Sequence, residues 1–439
     1  MSPRLRRVAV PLGAILLTCG SLYFYLRADH DFKLSPLLPA PSRHPPLQQE
    51  PVDHEAITPN KATTTPSILT SANVTSYLSA ILDAQSGRLP SLECPVLNRT
   101  RYESLKPVDS DGPAIRYFFA LNLRESLPLL PRLAGSLVEV MRFLGPQHCA
   151  LSVVEGNSPD GTADVLAALR SGVEALGASY FFESSPIDPA ADGGADRIRR
   201  LAQLRNKALE PLLDSARSRR ADGNTTVLFV NDVAACPEDL LELALQRRRL
   251  GGDMACAMDW TCNGGDPPSC NFYDVWIARD IAGDSFFRIP NDASWGRALD
   301  LFWAESETRA RFQAHRPFQV FSCWNGAVAM GAQPFLEDLS FRPPDQGAGE
   351  CFQGEPQLLC KDMWRRGYHK IAVVPTVNLA YTLDHSAIIK KDKGFVSDLV
   401  AFQDWEGDAL EWRAEPPEKV RCMPTFTSQS MEPWNQSFS

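Results

Sequence analysis

The chain has no excess of positive charge: 44 lysines and arginines stand against 53 aspartates and glutamates, a formal net charge of −9. A nucleic-acid partner normally shows as a basic face, so that class is excluded. The acids are spread along the chain, which makes the surplus a solvated surface rather than an acidic tail. No Cys-x-x-Cys pair occurs among the 11 cysteines, so the usual signature of a zinc site is missing. No internal repeat recurs. What remains is a chain of 439 residues, 44% apolar and 22% charged, enough for one large domain or two ordinary ones around a real core.

The two ends differ from the middle. Residues 8–26, VAVPLGAILLTCGSLYFYL, carry no charge and are long enough to cross a bilayer as a helix. Arg4, Arg6 and Arg7 precede them, and Tyr23, Phe24 and Tyr25 cluster at the far end as an interfacial belt does. Basic residues stay on the cytoplasmic side, so residues 1–7 are expected to be a cytoplasmic tail and the bulk of the chain to be luminal. A cleaved signal peptide, the competing reading, would have a shorter apolar core and a clearer small-residue cleavage site. Residues 27–72 are rich in Pro, Ser, Thr and Gln and bury too little apolar surface to fold, which predicts a flexible stem. Anchor, stem and large luminal domain are the layout of a single-pass type II Golgi membrane protein.

Two further features agree with a lumen. Glycosylation sequons occur at Asn73, Asn98, Asn224 and Asn435. With Cys19 in the anchor, ten cysteines remain, and in an oxidising compartment several should pair. Cys262 and Cys270, flanking a Gly/Pro-rich loop, are the simplest pair; the other connectivities stay open.

After a lead-in over 73–113, strands and helices alternate. Apolar runs at 115–121, 150–154, 179–182, 227–230 and 254–258 read as buried strands, with helical spacing at 127–144, 163–176, 197–219 and from Pro237 onward. Repeated βα units predict an α/β fold with a mostly parallel, Rossmann-like sheet flanked by helices. Residues 114–260 form its first half and 261–422 a less regular second half, with strands at 273–277, 319–321, 327–330 and 371–374 and helices at 298–314 and 357–366. Residues 423–439 read as a polar, loosely held tail.

Three features fall at strand ends in the first half, where open α/β sheets bind ligands. Glu155-Gly-Asn-Ser158-Pro-Asp160-Gly-Thr follows a strand and opens a helix; an acid there can hold a nucleoside, while a Ser or Asp that merely caps the helix is the plain alternative. Arg197 and Arg205 lie on one helix, and a guanidinium can grip a diphosphate in a fork, although such arginines are commonly just a solvated helix face. Asn231-Asp232 ends the run VLFV, and Asp232 is a metal-ligand candidate or simply the close of a strand. Together they describe a site for a nucleotide sugar, with Mn2+ or Mg2+ bridging carboxylate and diphosphate.

EGNSPDGT, LAQLRN, VLFVNDVAACPEDLLEL and MACAMDW, followed by FYDVWIARDIAG, FSCWNGAVAM and GECFQGEPQLLCKDMWRRGYHKIAVVP, resemble in that order the fungal alpha-1,3-mannosyltransferase family of the cryptococcal capsule type. The likeness covers roughly 114–385. It implies a GT-A glycosyltransferase fold, GDP-mannose as donor, a divalent cation and retention of the alpha configuration. Where GT-A enzymes usually carry Asp-x-Asp, this chain reads Val230-Asn231-Asp232-Val233, so one of the two carboxylates is replaced. The candidates around the nucleotide sugar are Glu155, Ser158, Asp160, Arg197, Arg205 and Asn231, with Glu155 standing where the resemblance puts an acid on the nucleoside; Asp232 is the candidate on the metal, and His385 is a late metal ligand or simply a surface histidine beside Asp384. The polar candidates of the second half are Asp259, Asp274, Asp280, Asp284, Glu350, Asp362 and Glu355, with Asn325 and Trp324 on the acceptor side, Trp324 as a face for a sugar or as a core tryptophan. Glu355 is the acid expected near the anomeric carbon, as nucleophile or as stabiliser of a cationic transition state, or simply a helix-start acid favoured by the dipole; Asp259 is the second catalytic candidate. The expected activity is a retaining, metal-assisted alpha-1,3-mannosyl transfer from GDP-mannose to a mannose-containing glycan. A transferase using another donor, and a non-catalytic luminal lectin or complex subunit, are the rivals.

Overall fold

The structure, a computed structural model, describes residues 68–83, 89–107, 114–190, 195–262, 268–401, 403 and 409–437. The expected cytoplasmic tail, the membrane anchor at 8–26 and nearly all of the stem lie outside the described residues. Among the described residues no helix is long and apolar enough to cross a membrane. From Ser67 onward the chain forms one compact unit.

Strands β1 (Tyr117–Leu123), β2 (Cys149–Gly156), β3 (Ser179–Ser185) and β4 (Thr226–Val230) lie in the order β3-β2-β1-β4, every pair parallel. Helices Leu130–Leu144, Thr162–Ala175 and Ala195–Arg217 connect them. β1, β2 and β4 are apolar almost throughout because helices cover both faces of this half. Phe118 and Phe229 are fully buried, each such ring stabilising the fold by about 1.5–3 kcal/mol. Helix Pro237–Leu250 follows β4 and starts where the sequence signals it: Pro237 fills the first turn, the Asp239 carboxylate accepts the Cys236 N–H at 2.8 Å, and Gly251 ends the helix at φ 58°.

The second half reverses the pattern. Antiparallel β9 (Ala327–Gly331) is inserted between β4 and β5 (Met254–Cys262). β10 (Ile371–Ala380) runs parallel to β5, and β8 (Phe318–Ser322) and β7 (Arg279–Asp280) close the edge antiparallel. β6 (Cys270–Phe272) pairs with the end of β5. The expected mostly parallel sheet is therefore a mixed one, Rossmann-like only in its first half. An apolar run sets a strand's burial but not its direction, and β9 takes the slot because it completes the free edges of β4 and β5 at once.

Three further expectations are corrected. Residues 274–277 form a turn around the Asp274 carbonyl, not a strand. The helix expected at 298–314 is confined to Ser306–Gln313, with the Glu305 side chain accepting the Glu307 N–H at its start. The supposedly loose tail is a hairpin, β11 (Lys419–Thr425) with β12 (Ser428–Pro433), tied down by the Cys351–Cys422 disulfide and by Trp276 Nε1 donating to the Met423 carbonyl at 2.6 Å. Cys262 and Cys270 are bonded as their spacing suggested. Cys94–Cys236 and Cys256–Cys323 add long-range links, while Cys149 and Cys360 are free and buried.

Candidate functional site

β4 delivers Asn231 and Asp232 to the carboxyl rim of the sheet. Because β9 runs the other way, its first residues arrive at the same rim, and the Asn231 N–H donates to the Gly326 carbonyl at 2.9 Å. The Cys323–Gly326 turn bends through φ 56° at Asn325 and 85° at Gly326. The positive φ favours glycine at 326, and a Cβ there would also crowd Val233 Cγ1 at 3.1 Å.

Arg205, from helix Ala195–Arg217, is the organising cation. Its Nε donates to Glu355 Oε1 at 2.8 Å and its Nη1 reaches Asn231 Oδ1 at 3.4 Å. The guanidinium lies 4.4 Å from the Trp324 ring, with Phe229 and Phe341 at 5.2 and 5.6 Å, so three aromatics hold the head group in place. Trp324 Nε1 donates to Asn231 Oδ1 at 3.0 Å. Trp324 is 2% exposed beneath Arg205 and against Phe229, so it offers no open face for a sugar. Of the two expectations for Trp324, a sugar face or a core tryptophan, its burial fits the second, and it serves as a platform for Arg205. Asn325 is likewise committed: its Nδ2 donates to the Ala257 carbonyl and its backbone N–H to Asp274 Oδ2 at 3.0 Å.

Asp232 is only half-buried and makes no ion pair among the described residues. Burial pushes its carboxyl up to about 6, against the pull of Arg205 and Arg197. Arg197 is exposed near the start of its helix, with Nη1 donating to the Pro189 carbonyl at 3.1 Å. At the end of β5, Asp259 is fully buried, its Oδ1 accepting the Asp274 N–H at 3.2 Å and its Oδ2 the Tyr381 hydroxyl at 2.7 Å. Burial, then the Asp274 charge, raises Asp259 well above the ordinary carboxylate range. Asp274 is half-buried and pushed up to about 6, chiefly by burial; the Asn325 N–H and Arg205 oppose the rise and Glu355 adds to it. Glu355 opens helix Glu355–Arg365 behind an uncapped Gly354, is 3% exposed, and spends its charge on Arg205.

The end of β2 is built differently. Glu155 is 1% exposed; its Oε1 accepts the Ser158 N–H and its Oε2 the Ser184 hydroxyl at 2.8 Å. Ser158 Oγ accepts the Glu125 N–H at 2.8 Å, and Asp160 accepts the Leu127 N–H and both polar hydrogens of Thr162. These three side chains lock the β1 and β2 loops together. His385 lies in the first turn of helix Leu383–Lys393, four residues beyond Tyr381, its backbone N–H donating to Thr382 Oγ1.

The site fits a divalent cation in one respect and not in another. Among the described residues no three His, Cys, Asp or Glu side chains converge as a protein cage. Mg2+ and Mn2+ bound with a nucleotide need only one or two carboxylates, the phosphates supplying other oxygens, and a desolvated, unpaired Asp232 meets that need. Asn231 does not, since its Oδ1 already accepts from Trp324 and Arg205. Sequence reasoning singled out neither Tyr381 nor the Phe229 and Phe341 rings. Tyr381 was within reach, since it closes β10, which runs six residues beyond the strand expected at 371–374.

The chain is similar to one family and to three individual proteins. The family described as Cryptococcal mannosyltransferase 1 matches residues 116–362. Alpha-1,3-mannosyltransferase CMT1 of Cryptococcus neoformans var. neoformans serotype D is 35% identical over 324 residues, 70% of this chain and 68% of that protein. Among solved structures, S. aureus TarS is 14% identical with a TM-score of 0.35, covering 67% of this chain, which spans 41% of that one. The mannosyltransferase PcManGT from Pyrobaculum calidifontis, in complex with GDP-Man and Mn2+, is 14% identical with a TM-score of 0.33, covering 70% of this chain and 67% of its own. The match across more than half of the chain and the identity to CMT1 carry the assignment: the chain belongs to the cryptococcal mannosyltransferase 1 family, a family of glycosyltransferases.

Proposed function

We propose that this chain is a retaining alpha-1,3-mannosyltransferase that moves mannose from GDP-mannose to a mannose-containing glycan, in a GT-A-type site, as a single-pass type II protein of the Golgi membrane. The observation that carries the reading is the rim cluster in which an unpaired Asp232, the caged Arg205 and the Asp259–Asp274 pair meet, in a chain 35% identical to a protein named for this transfer. Asp232 would hold Mn2+ or Mg2+, whose part is to neutralise charge on the departing diphosphate. Arg197, exposed and within electrostatic reach of Asp232, is the cation that would meet the phosphates; Arg205, paired with Glu355, opposes the upward push of burial on Asp232 and Asp274. Glu155, Ser158 and Asp160 shape the loops on the nucleoside side. The exposed Asn73, Asn98, Asn224 and Asn435 would carry N-linked glycans in the lumen.

The test is a transfer assay of the purified luminal chain against a panel of nucleotide sugars with Mn2+, followed by linkage analysis. Alpha-1,3-linked mannose from GDP-mannose is the expected product. Transfer of another sugar removes the donor assignment, and glycan binding without turnover makes the chain a lectin.

A further inference from the structure

Four acids converge near Arg205, and they differ in how much of each carboxylate is left for a substrate. Glu355 is buried and ion-paired to Arg205 at 2.8 Å. Asp259 is fully buried, and both of its oxygens accept protein hydrogen bonds. Asp232 is the carboxylate assigned above to the cation. Asp274 alone combines partial exposure with one oxygen held and one open: Oδ2 accepts the Asn325 N–H at 3.0 Å, and Oδ1 makes no hydrogen bond among the described residues.

Its placement is over-determined. The Asp274 N–H is fixed by Asp259, which is in turn fixed by Tyr381, and the Tyr273 and Tyr381 rings pack at 4.8 Å. The donor that holds Oδ2 belongs to the Asn325-Gly326 turn, where both residues take positive φ and Gly326 packs tightly against Val233. Two turns and two strand ends thus converge to aim one carboxylate. A rotamer locked by flanking hydrogen bonds is what a group must have to stabilise charge without reorganising.

We propose that Asp274 is the carboxylate that contacts the reacting sugar, its free Oδ1 facing the positive charge that develops on the anomeric carbon, and that Asp259 is a positioning residue acting through it. Glu355 is then the counter-ion of Arg205 and does not touch the sugar. The assignment rests on the reading of this site as a sugar transferase. It also accounts for the buried Asp259–Tyr381 pair, which has no use in a site where Glu355 reacts.

The experiment takes the wild-type chain with the donor that the panel identifies and compares Asp274→Asn, Asp274→Ala, Asp259→Asn and Glu355→Ala. Asp274→Asn keeps the shape and is expected to lower kcat roughly a thousandfold, the scale of losing a key transition-state contact, with donor affinity unchanged. Asp274→Ala is expected to regain turnover with azide. Azide bonds to the anomeric carbon as the bond to the diphosphate oxygen breaks, that electron pair leaves with the nucleoside diphosphate, and a glycosyl azide is the product. Asp259→Asn is expected to lose about tenfold, to shift the pH profile, and to show no azide rescue. Asp274→Asn within about tenfold of wild type, or azide rescue of Glu355→Ala in place of Asp274→Ala, overturns the assignment. Where Asp274→Ala fails to fold, the isosteric Asn variant with its melting temperature decides. A wild-type chain that transfers no sugar from any donor overturns the transferase reading itself, and this assignment with it.

Discussion

Two stretches of the sheet's carboxyl rim handle carboxylates in opposite ways. At the end of β2, Glu155 and Asp160 have their oxygens taken by neighbouring N–H and hydroxyl groups, and the result is a stiff pair of loops. At the ends of β4 and β5, Asp232, Asp259 and Asp274 are desolvated faster than they are compensated, and each carboxyl is driven upward. Acids that satisfy one another's loops make shape. Acids left electrostatically unsettled, next to a caged arginine, are where a charged ligand has most to offer.

That contrast can be broken most directly at Asp232. Asp232→Ala is expected to cost roughly three orders of magnitude in metal-stimulated transfer, several kcal/mol of lost charge stabilisation, with the melting temperature unchanged or raised; a stable variant with full transfer ends the contrast. Arg205→Ala is expected to destabilise by about 3–5 kcal/mol in urea unfolding, because it leaves Glu355 buried without its partner. Glu155→Gln should behave as a structural change, costing about 1–3 kcal/mol through the lost charge-assisted bonds, with transfer reduced only as far as the fold is. If Glu155→Gln instead removes transfer and spares stability, the β2 rim binds ligand after all.

Smaller effects sharpen the comparison away from both stretches. Asp280 has Oδ2 buried without a partner, and burial pushes its carboxyl up to about 7. An unfolded aspartate releases its proton near about pH 4, so between there and about pH 7 the folded chain holds more protons and stability falls as pH rises. Asp280→Asn should remove that contribution, at most about 1.4 kcal/mol per pH unit, as read from urea midpoints across the window. Asn98→Gln should shift the mass by one glycan and cost about 1 kcal/mol, because Asn98 Oδ1 also accepts the Arg101 N–H at its helix start; Asn224→Gln should show the mass shift alone.

Most of the first half was legible in the sequence because its signals are local. The run at 227–230 became β4, which begins one residue earlier at Thr226, and Pro237 with its two acids marked the next helix. β9 was visible as an apolar run, but its slot between β4 and β5 depends on pairings about a hundred and about seventy residues away. The C-terminal hairpin was missed because its β12 residues, SQSMEP, show no apolar alternation, and the Cys351–Cys422 bond that holds it spans 71 residues. Arg205 and Glu355 were both singled out, yet their ion pair was not, since it joins positions 150 residues apart. Trp324 could be read either way, as a sugar face or a core side chain, because the guanidinium that covers it comes from a helix more than a hundred residues away.

The hairpin after residue 418 has a practical side. Cys422 bonds Cys351, four residues ahead of Glu355; Gln436 Oε1 accepts the Cys351 N–H, and the Gln436 carbonyl accepts from Lys361 Nζ inside the helix that Glu355 opens. The last stretch of chain is a buttress behind the helix that carries the counter-ion of Arg205. Trimming it for crystallisation, or preparing the protein under reducing conditions, would loosen that helix from behind, and an inactive preparation made in either way would say nothing about the chemistry in front.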